Sequence, residues 1–436
     1  MTTTASTAET SWDIEEFETT PVPRDHRRRL PSVAAVWFGF PMVLTCAIFG
    51  GLIVYSLGFW RGLLAIAVGN LCLMLYVGSL SYLAGRTGEN FALTAARTFG
   101  VKAAAVPSAF LATIVIGWFA FQTGMAGAIL HDSLGWPEQP TTLAAGLGFI
   151  ALTLLGIRAL SVIGVIAAPV YIVLGAVAIY LAAQDGSGSP FGYSGGAESA
   201  ALSFGAAVTL VIASFIDSGT MTADFTRWSR TGREGFLAAA SAFPVSNSIA
   251  LLVGGLVVAL GGATDPGTDG GNFLGLLIDH GGVLVPLAVA FVFINLGSVC
   301  AHCLYNGAVG WSQLTAGRMR TLTLILGAVG VLLAVAGIWT YFEQWLNLLG
   351  VIVPPIGAVV ILDQLVLPRT RLGSPAPGRA VRWQPFAGWA GGAAVALLAH
   401  RLAPWLSDAV VGFVTAALLF TAASALTARD QKDCPA

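Results

Sequence analysis

Again and again along this chain about twenty or more residues pass without a charged side chain, and that repetition constrains the fold more than any other feature. A hydrocarbon layer about 30 Å thick is crossed by about 20 helical residues rising ~1.5 Å each. The runs fall at 31–57, 61–84, 103–130, 141–157, 159–183, 201–226, 236–262, 281–302, 303–317, 321–341, 343–366 and 384–427, the last long enough for two passes. Taking 321–366 as one broken pass predicts about twelve spanning helices. The runs stay apolar on all sides instead of alternating at period two, which favours helices over barrel strands. Leu63 to Gly78, for example, is apolar everywhere except at Asn70. Composition agrees, because 56% of residues are hydrophobic, 10% are charged and the mean hydropathy is +0.80. A soluble domain carries about 25% charged residues to build its wetted surface. The expected class is an all-α polytopic membrane protein.

Charge predicts the orientation. With the N-terminus in the cytoplasm, outer segments hold only Arg61, Arg318, Arg320 and Arg401 of the 21 Lys and Arg residues, a strong positive-inside bias. Arg318 and Arg320 fall where the segmentation is least regular. The expected location is the cytoplasmic membrane, with a polar tail at 1–30 and another at 428–436, both cytoplasmic. The start is acidic (Asp13, Glu15, Glu16, Glu18) and then basic, without the early apolar core of a secretory signal. The five cysteines (Cys46, Cys72, Cys300, Cys303, Cys434) avoid the outer loops, so no disulfide framework is expected. No basic stripe with interleaved aromatics suggests nucleic acid, and no obligatory protein partner is evident.

Two apolar runs carry irregularities that are costly in a bilayer. The first has Gly39 and Pro41 near its middle, and proline removes an N–H and clashes with the preceding turn. The sixth holds Ser214, Asp217, Ser218, Gly219, Thr220 and Thr222 in one stretch, with a break expected at Asp217 to Thr220. Interrupted helices five apart are what an inverted repeat produces, with substrate and ion held by unwound backbone at the midplane.

Ordered motifs along most of the chain carry a resemblance: PVPRDHRRR (21–29), TGENFALTAARTFGVK (87–102), IGWFAFQTG (116–124), GIRALSVIGVIAAP (156–169), SFIDSGTMTADFTRWSR (214–230), SNSIALLVGG (246–255), INLGSVCAHCLYNG (294–307) and LNLLGVIVPPIGAVVILD (346–363). With these, the chain resembles the nucleobase:cation symporter-1 family and, within it, the bacterial cytosine permeases. The resemblance implies a five-plus-five inverted repeat, 31–183 and 201–366, followed by two further helices in 384–427. It also implies secondary active transport of a nucleobase-like heterocycle by alternating access, without a cofactor. A cytosine-like ring is the first expectation. Hydroxymethylpyrimidine, hydantoin or allantoin, and purines are the alternatives.

In the family an aromatic of span three and one of span six sandwich the ring, and Trp118 and Phe215 match them. Aromatic faces suit a flat π-system. Ser214, Asp217 and Asn295 match positions that bond the ring edge, with Gln122 as a further candidate. For the cation, Gly39 and Met42 match carbonyl donors, and Asn295 and Ser298 match span-eight positions. Asp217 departs from the cytosine permeases, which carry a small hydroxyl residue there. Val299 stands where sodium-coupled relatives have a second hydroxyl. The coupling ion is therefore Na+ or H+, the proton being carried by Asp217 or His302, since imidazole titrates near neutral pH.

Other classes fit less well. A channel wants a continuous polar pore stripe and an enzyme a paired catalytic set, and neither is found. Cys300, His302 and Cys303 lack the further ligands of a transition-metal site. Asp217-Ser218-Gly219-Thr220 mimics an aspartic-protease signature without its second aspartate.

Overall fold

The computed structural model describes residue 17 and residues 19–186, 188–196, 202–315, 317–369 and 378–433, without the side chains of 157–161, 369 and 428–433. Asp13, Glu15, Glu16, Glu18, Arg371 and Cys434 lie outside the described residues, as do the side chains of Arg158, Arg369, Arg429 and Lys432. The described secondary structure is helical, apart from one isolated bridge between Arg28 and Ser229.

The first apolar run is bent. Helices α1 (Leu30–Gly39) and α2 (Leu44–Leu57) meet at 60°. Pro31 occupies the first turn of α1, where its missing N–H costs nothing. Gly39 and Pro41 end that helix as expected. Next come α3 (Phe59–Thr87), the short α4 (Phe91–Phe99), α5 (Ala105–Leu134), α6 (Glu138–Leu154) and α7 (Ile157–Asp185). The Asn90 side chain caps α4 by accepting from Leu93 N–H at 2.9 Å.

The sixth run is cut into three pieces, α8 (Phe204–Ala213), α9 (Ile216–Thr220) and α10 (Ala223–Thr226). The backbone leaves the helix at Phe215 (φ −139°, ψ 11°), so Asp217 to Thr220 is itself helical and the break begins a turn earlier than expected. Thr231 caps α11 (Gly232–Ala240), which continues into α12 (Asn247–Leu260) through a widened turn at Ser241–Ser246. Pro244 sits in that turn with no N–H to give. A short α13 (Leu274–Asp279) precedes α14 (Leu284–Thr315), one 32-residue helix. The expected boundary between 281–302 and 303–317 is therefore absent. Gly307 lets the unbroken helix approach Ala112 and Ile116 of α5.

The run 321–366 was read as one broken pass, but Gly337 (φ 80°) separates α15 (Met319–Val335) from α16 (Phe342–Ile352) and α17 (Pro354–Ile361). Pro354 and Pro355 divide the last two. A helix pair, α18 (Trp383–Leu402) and α19 (Asp408–Asp433), closes the chain and packs on itself and on α17. Among the described residues seven helical segments are long and apolar enough to cross a membrane, eight with the bent first pair, against about twelve expected. The shortfall lies in helices too short or too interrupted to qualify alone, such as α8 and α15.

Three contacts organise the bundle: α2 against α12, α3 against α11, and α5 against α14. The first is glycine-lined. A methyl group built at Gly50 would meet the Leu251 carbonyl oxygen at 1.7 Å, and one at Gly254 would meet that of Ala47 at 1.9 Å. Bare backbone there lets the two helices touch, the usual route to tight packing where lipid offers no hydrophobic drive.

One end of the bundle is laced by polar contacts. Val22 N–H donates to Gly88 O at 2.9 Å, Arg27 Nη1 to Gly85 O at 2.8 Å and Arg28 N–H to Trp228 O at 2.7 Å, strapping residues 22–28 over the ends of α3 and α10. The guanidinium carbons of Arg28 and Arg227 lie 5.3 and 5.5 Å from the Trp228 ring, within cation–π range. Nearby, Arg382 forms a bidentate ion pair with Asp363 at 2.7 and 2.9 Å, and both side chains are buried. Removing one partner of such a pair strands a charge at a cost of about 3–5 kcal/mol. Arg382→Met is therefore expected to lower the melting temperature in detergent clearly, and adding Asp363→Leu to restore part of it. An unchanged single variant would show that the pair carries little.

Candidate functional site

Where the two broken runs meet, they leave a small cavity. The first break and α2 contribute Phe40, Val43, Thr45, Cys46 and Phe49 to its wall. Helix α5 contributes Trp118 and Gln122, the second break Ser214, Phe215 and Ser218, and α14 Val299 and Cys303. No Lys, Arg, Asp or Glu is among the lining residues.

Aromatic residues brace the walls from behind. Phe342, at the start of α16, sits 5.4 Å edge-on from Trp118 and stacks on Phe49 at 5.5 Å with 17° between planes. Phe215 is held by Phe40 at 5.7 Å and Phe243 at 5.5 Å, and Trp37 touches both of those rings. Closed packing of this kind fixes the ring positions before any ligand arrives.

Four of the expected ring-contacting residues line the cavity: Trp118, Phe215, Ser214 and Gln122. Gln122 Oε1 accepts from Thr45 Oγ1 at 2.8 Å. The Ser214 hydroxyl donates to the Val211 carbonyl at 2.8 Å. Asp217 is fully buried but not in the lining, because α9 turns Ser214, Phe215 and Ser218 inward and Asp217 behind them. Its Oδ1 accepts from Ser218 Oγ at 3.5 Å, and its Oδ2 has no partner among the described residues. The Trp118 indole N–H faces this carboxylate without closing a hydrogen bond of ordinary geometry. Asp217 thus stands behind Trp118, one layer away from the cavity.

Asn295 is also outside the lining and fully engaged elsewhere. Its Oδ1 accepts from Leu44 N–H at 2.8 Å, and its Nδ2 donates to Met42 O at 2.7 Å. One amide thereby closes both sides of the first break, supplying the partners that Pro41 and the bend removed.

The residues expected around the cation lie together beside the cavity. A methyl group built at Gly39 would sit 3.0 Å from Gly164 O, and one at Gly164 would sit 3.9 Å from Ser298 Oγ and 3.7 Å from His302 Cε1. Helices α1, α7 and α14 therefore converge at Gly39, Gly164 and Ser298. Gly39 O accepts from Met42 N–H at 3.2 Å, and Ser298 O, within the continuous α14, accepts from His302 Nδ1 at 2.7 Å as well as taking its helix bond. The Gly39 carbonyl keeps a second lone pair for a cation. The bond to Ser298 O places a proton on His302 Nδ1, because a carbonyl only accepts. Cys300 turns instead to Thr123 and Phe119 O of α5, and Cys303 to the cavity, so the three side chains diverge. Among the described residues no group of three or more His, Cys, Asp or Glu could hold a metal ion.

Sequence reasoning missed Phe40, Thr45, Cys46, Phe49 and Ser218. A signal existed for the α2 residues, since Thr45, Cys46 and Phe49 share one helical face just beyond the predicted break.

A bundle of apolar helices with two broken runs meeting at a cavity is the architecture of a secondary active transporter of the membrane. Comparison with known proteins bears this out. Residues 21–376 match the family described as permease for cytosine/purines, uracil, thiamine, allantoin, and the chain belongs to that family. The cytosine permease of Escherichia coli (strain K12) is 30% identical over 352 residues, covering 80% of this chain and 81% of that one. The hydantoin permease of Microbacterium maritypicum is 25% identical over 419 residues, covering 89% and 84%. Among solved structures, a nucleobase-cation-symport-1 family transporter in a closed conformation with bromovinylhydantoin bound superposes with a TM-score of 0.74, covering 94% of this chain and 95% of that one. At 22% identity this last likeness speaks for the fold alone.

Proposed function

We propose that the protein imports a small uncharged heterocycle of the cytosine type by cation symport, the ring lying between Trp118 and Phe215. The observation that carries this reading is the uncharged cavity, walled by these two aromatic residues, at the meeting point of two helix breaks. Aromatic faces supply most of the affinity for a flat ring, and a few polar groups fix its edge. Ser214 and Gln122 bond that edge directly, while Asp217 acts through Trp118. Asn295 holds the first break in shape. The relatives named for cytosine and hydantoin transport support a ring of this size, and hydroxymethylpyrimidine, allantoin and purines complete the test panel.

Twelve spans follow if α6, the α8–α10 run, α15 and α18 each make a pass beside the eight longer ones. Two repeats, 31–183 and 201–366, and an appended pair in 384–427 then result. The pairings α3 with α11 and α5 with α14 support this, since each joins an element to its counterpart five spans later. With α14 continuous, Arg318 and Arg320 move to the cytoplasmic side. Only Arg61 and Arg401 remain outside, which supports cytoplasmic termini in the 1–30 and 428–436 tails.

The cation position is Gly39, Met42 and Ser298, read for Na+. Protons are the second reading, favoured by the unpartnered Asp217 Oδ2 and by Val299, which offers no oxygen. His302 is the other candidate proton carrier.

Uptake of radiolabelled cytosine into reconstituted vesicles, with sodium and pH varied separately, tests the whole. Saturable uptake is expected, and Trp118→Leu or Phe215→Leu should weaken apparent affinity about tenfold or more. Loss on sodium removal alone would eliminate the proton reading. Absence of saturable uptake for every ring in the panel would overturn the assignment.

A further inference from the structure

We propose that Thr45 is a positioning residue that sets the ring specificity of the cavity by fixing which end of the Gln122 amide faces the ligand. This rests on the reading of the cavity as the ring site and names the feature of the ring that it selects. Thr45 stands on α2 just beyond the first break, Gln122 on α5, and both line the cavity. The hydroxyl donates to Gln122 Oε1 at 2.8 Å, with Met125 Sδ at 3.9 Å as a weak second acceptor. Both residues are buried, so no solvent competes for that proton.

An amide has one acceptor end and one donor end, nearly alike in shape, and only its partners decide which way it points. With Oε1 engaged by Thr45, Nε2 is the end presented to a ligand. The two cavity serines have the opposite polarity. Ser214 donates its proton to Val211 O, and Ser218 directs its own toward Asp217 Oδ1, so each presents an oxygen that accepts. The wall therefore offers an amide donor on one side and hydroxyl acceptors on the other, with no charged group between them.

The complement is a neutral ring bearing a carbonyl toward Gln122 and a ring N–H toward the serines, the edge of a cyclic amide. A ring with an amino group in place of that carbonyl sets donor against donor and leaves a buried N–H unpaired. Such mismatches discriminate strongly.

Cytosine and 2,4-diaminopyrimidine form the test pair: the second carries an amino group where cytosine has its carbonyl and a bare ring nitrogen where cytosine has N1–H, and this second difference, read by the serines, is common to every Thr45 variant and cancels when their ratios are compared. Each competes against labelled cytosine at a pH where both are neutral. The wild-type protein is expected to favour cytosine by about tenfold or more. In Thr45→Val, which keeps the shape and removes the hydroxyl, the freed amide can turn either end inward, and the ratio is expected to fall at least about threefold below the wild-type value. Thr45→Ser, which restores a donor, is expected to recover the wild-type ratio. Because the readout is a ratio, reduced insertion of a variant does not mimic the result.

A wild-type ratio retained in Thr45→Val overturns the proposal. If Gln122→Ala loses the preference while Thr45→Val keeps it, Gln122 reads the ring without help from Thr45, and the ring-site reading survives. If the wild-type protein binds neither compound, the proposal fails, and the ring-site reading falls with it when no other ring of the panel is taken up.

Discussion

Asn295→Leu is expected to abolish transport and to lower stability in detergent. The substitution keeps volume but removes the acceptor for Leu44 N–H and the donor to Met42 O, both buried at the first break. Each stranded backbone group costs about 1–3 kcal/mol, against a native stability of roughly 5–15 kcal/mol for ordinary domains. Pro41 lacks an N–H, so the break itself offers no donor in place of the amide at that residue. Uptake per inserted molecule should fall at least about tenfold, with a clear drop in melting temperature. Asn295→Asp keeps one of the two bonds and should fall between. Wild-type uptake by the leucine variant would show that the break needs no such closure.

Gly254→Ala is expected to be nearly as damaging, for a steric reason. Its new methyl group would lie 1.9 Å from the Ala47 carbonyl oxygen, and backbone cannot rotate away as a side chain can. Overpacking costs about 1–3 kcal/mol where the core gives way, and here α2 must move bodily. That helix carries Thr45, Cys46 and Phe49 into the cavity wall, so the displacement reaches the cavity. Gly255→Ala provides a graded comparison, since its methyl group would meet the Val54 side chain at 2.7 Å, which has rotamers to spend. Gly148→Ala meets nothing within 4 Å and should behave as wild type. Thermal melts and uptake for the three variants should rank Gly254, Gly255, Gly148 from most to least affected. Equal behaviour of the first and last would refute the close-packing account.

Much of this was legible before the fold was in hand. Apolar runs fix the class because a bilayer tolerates few alternatives, and Gly39 with Pro41 marks a break because proline physically prevents helix continuation. Trp118, Phe215, Ser214 and Gln122 were found through motif resemblance, and the structure gathers all four around one cavity. What escaped was anything decided by rotation or by distant pairing. Asp217 sits one residue from Ser218, yet the turn of α9 sends the two side chains to different sides of the wall. The expected boundary between 302 and 303 lies inside the continuous α14, where Gly307 packs closely against α5. Asn295 looks like any polar residue in an apolar run, and its partners are not inferable from spacing.

The same amide also bears on how the protein is made. Leu44 and its partner Asn295 are 251 positions apart. A ribosome adding about 5–20 residues per second needs on the order of 10–50 s to bridge that interval. For that time the first helix exists with an open break, before the residue that closes it has been synthesised. Water or the insertion machinery must act as its temporary partner, so the earliest helix to leave the ribosome is among the last to be finished.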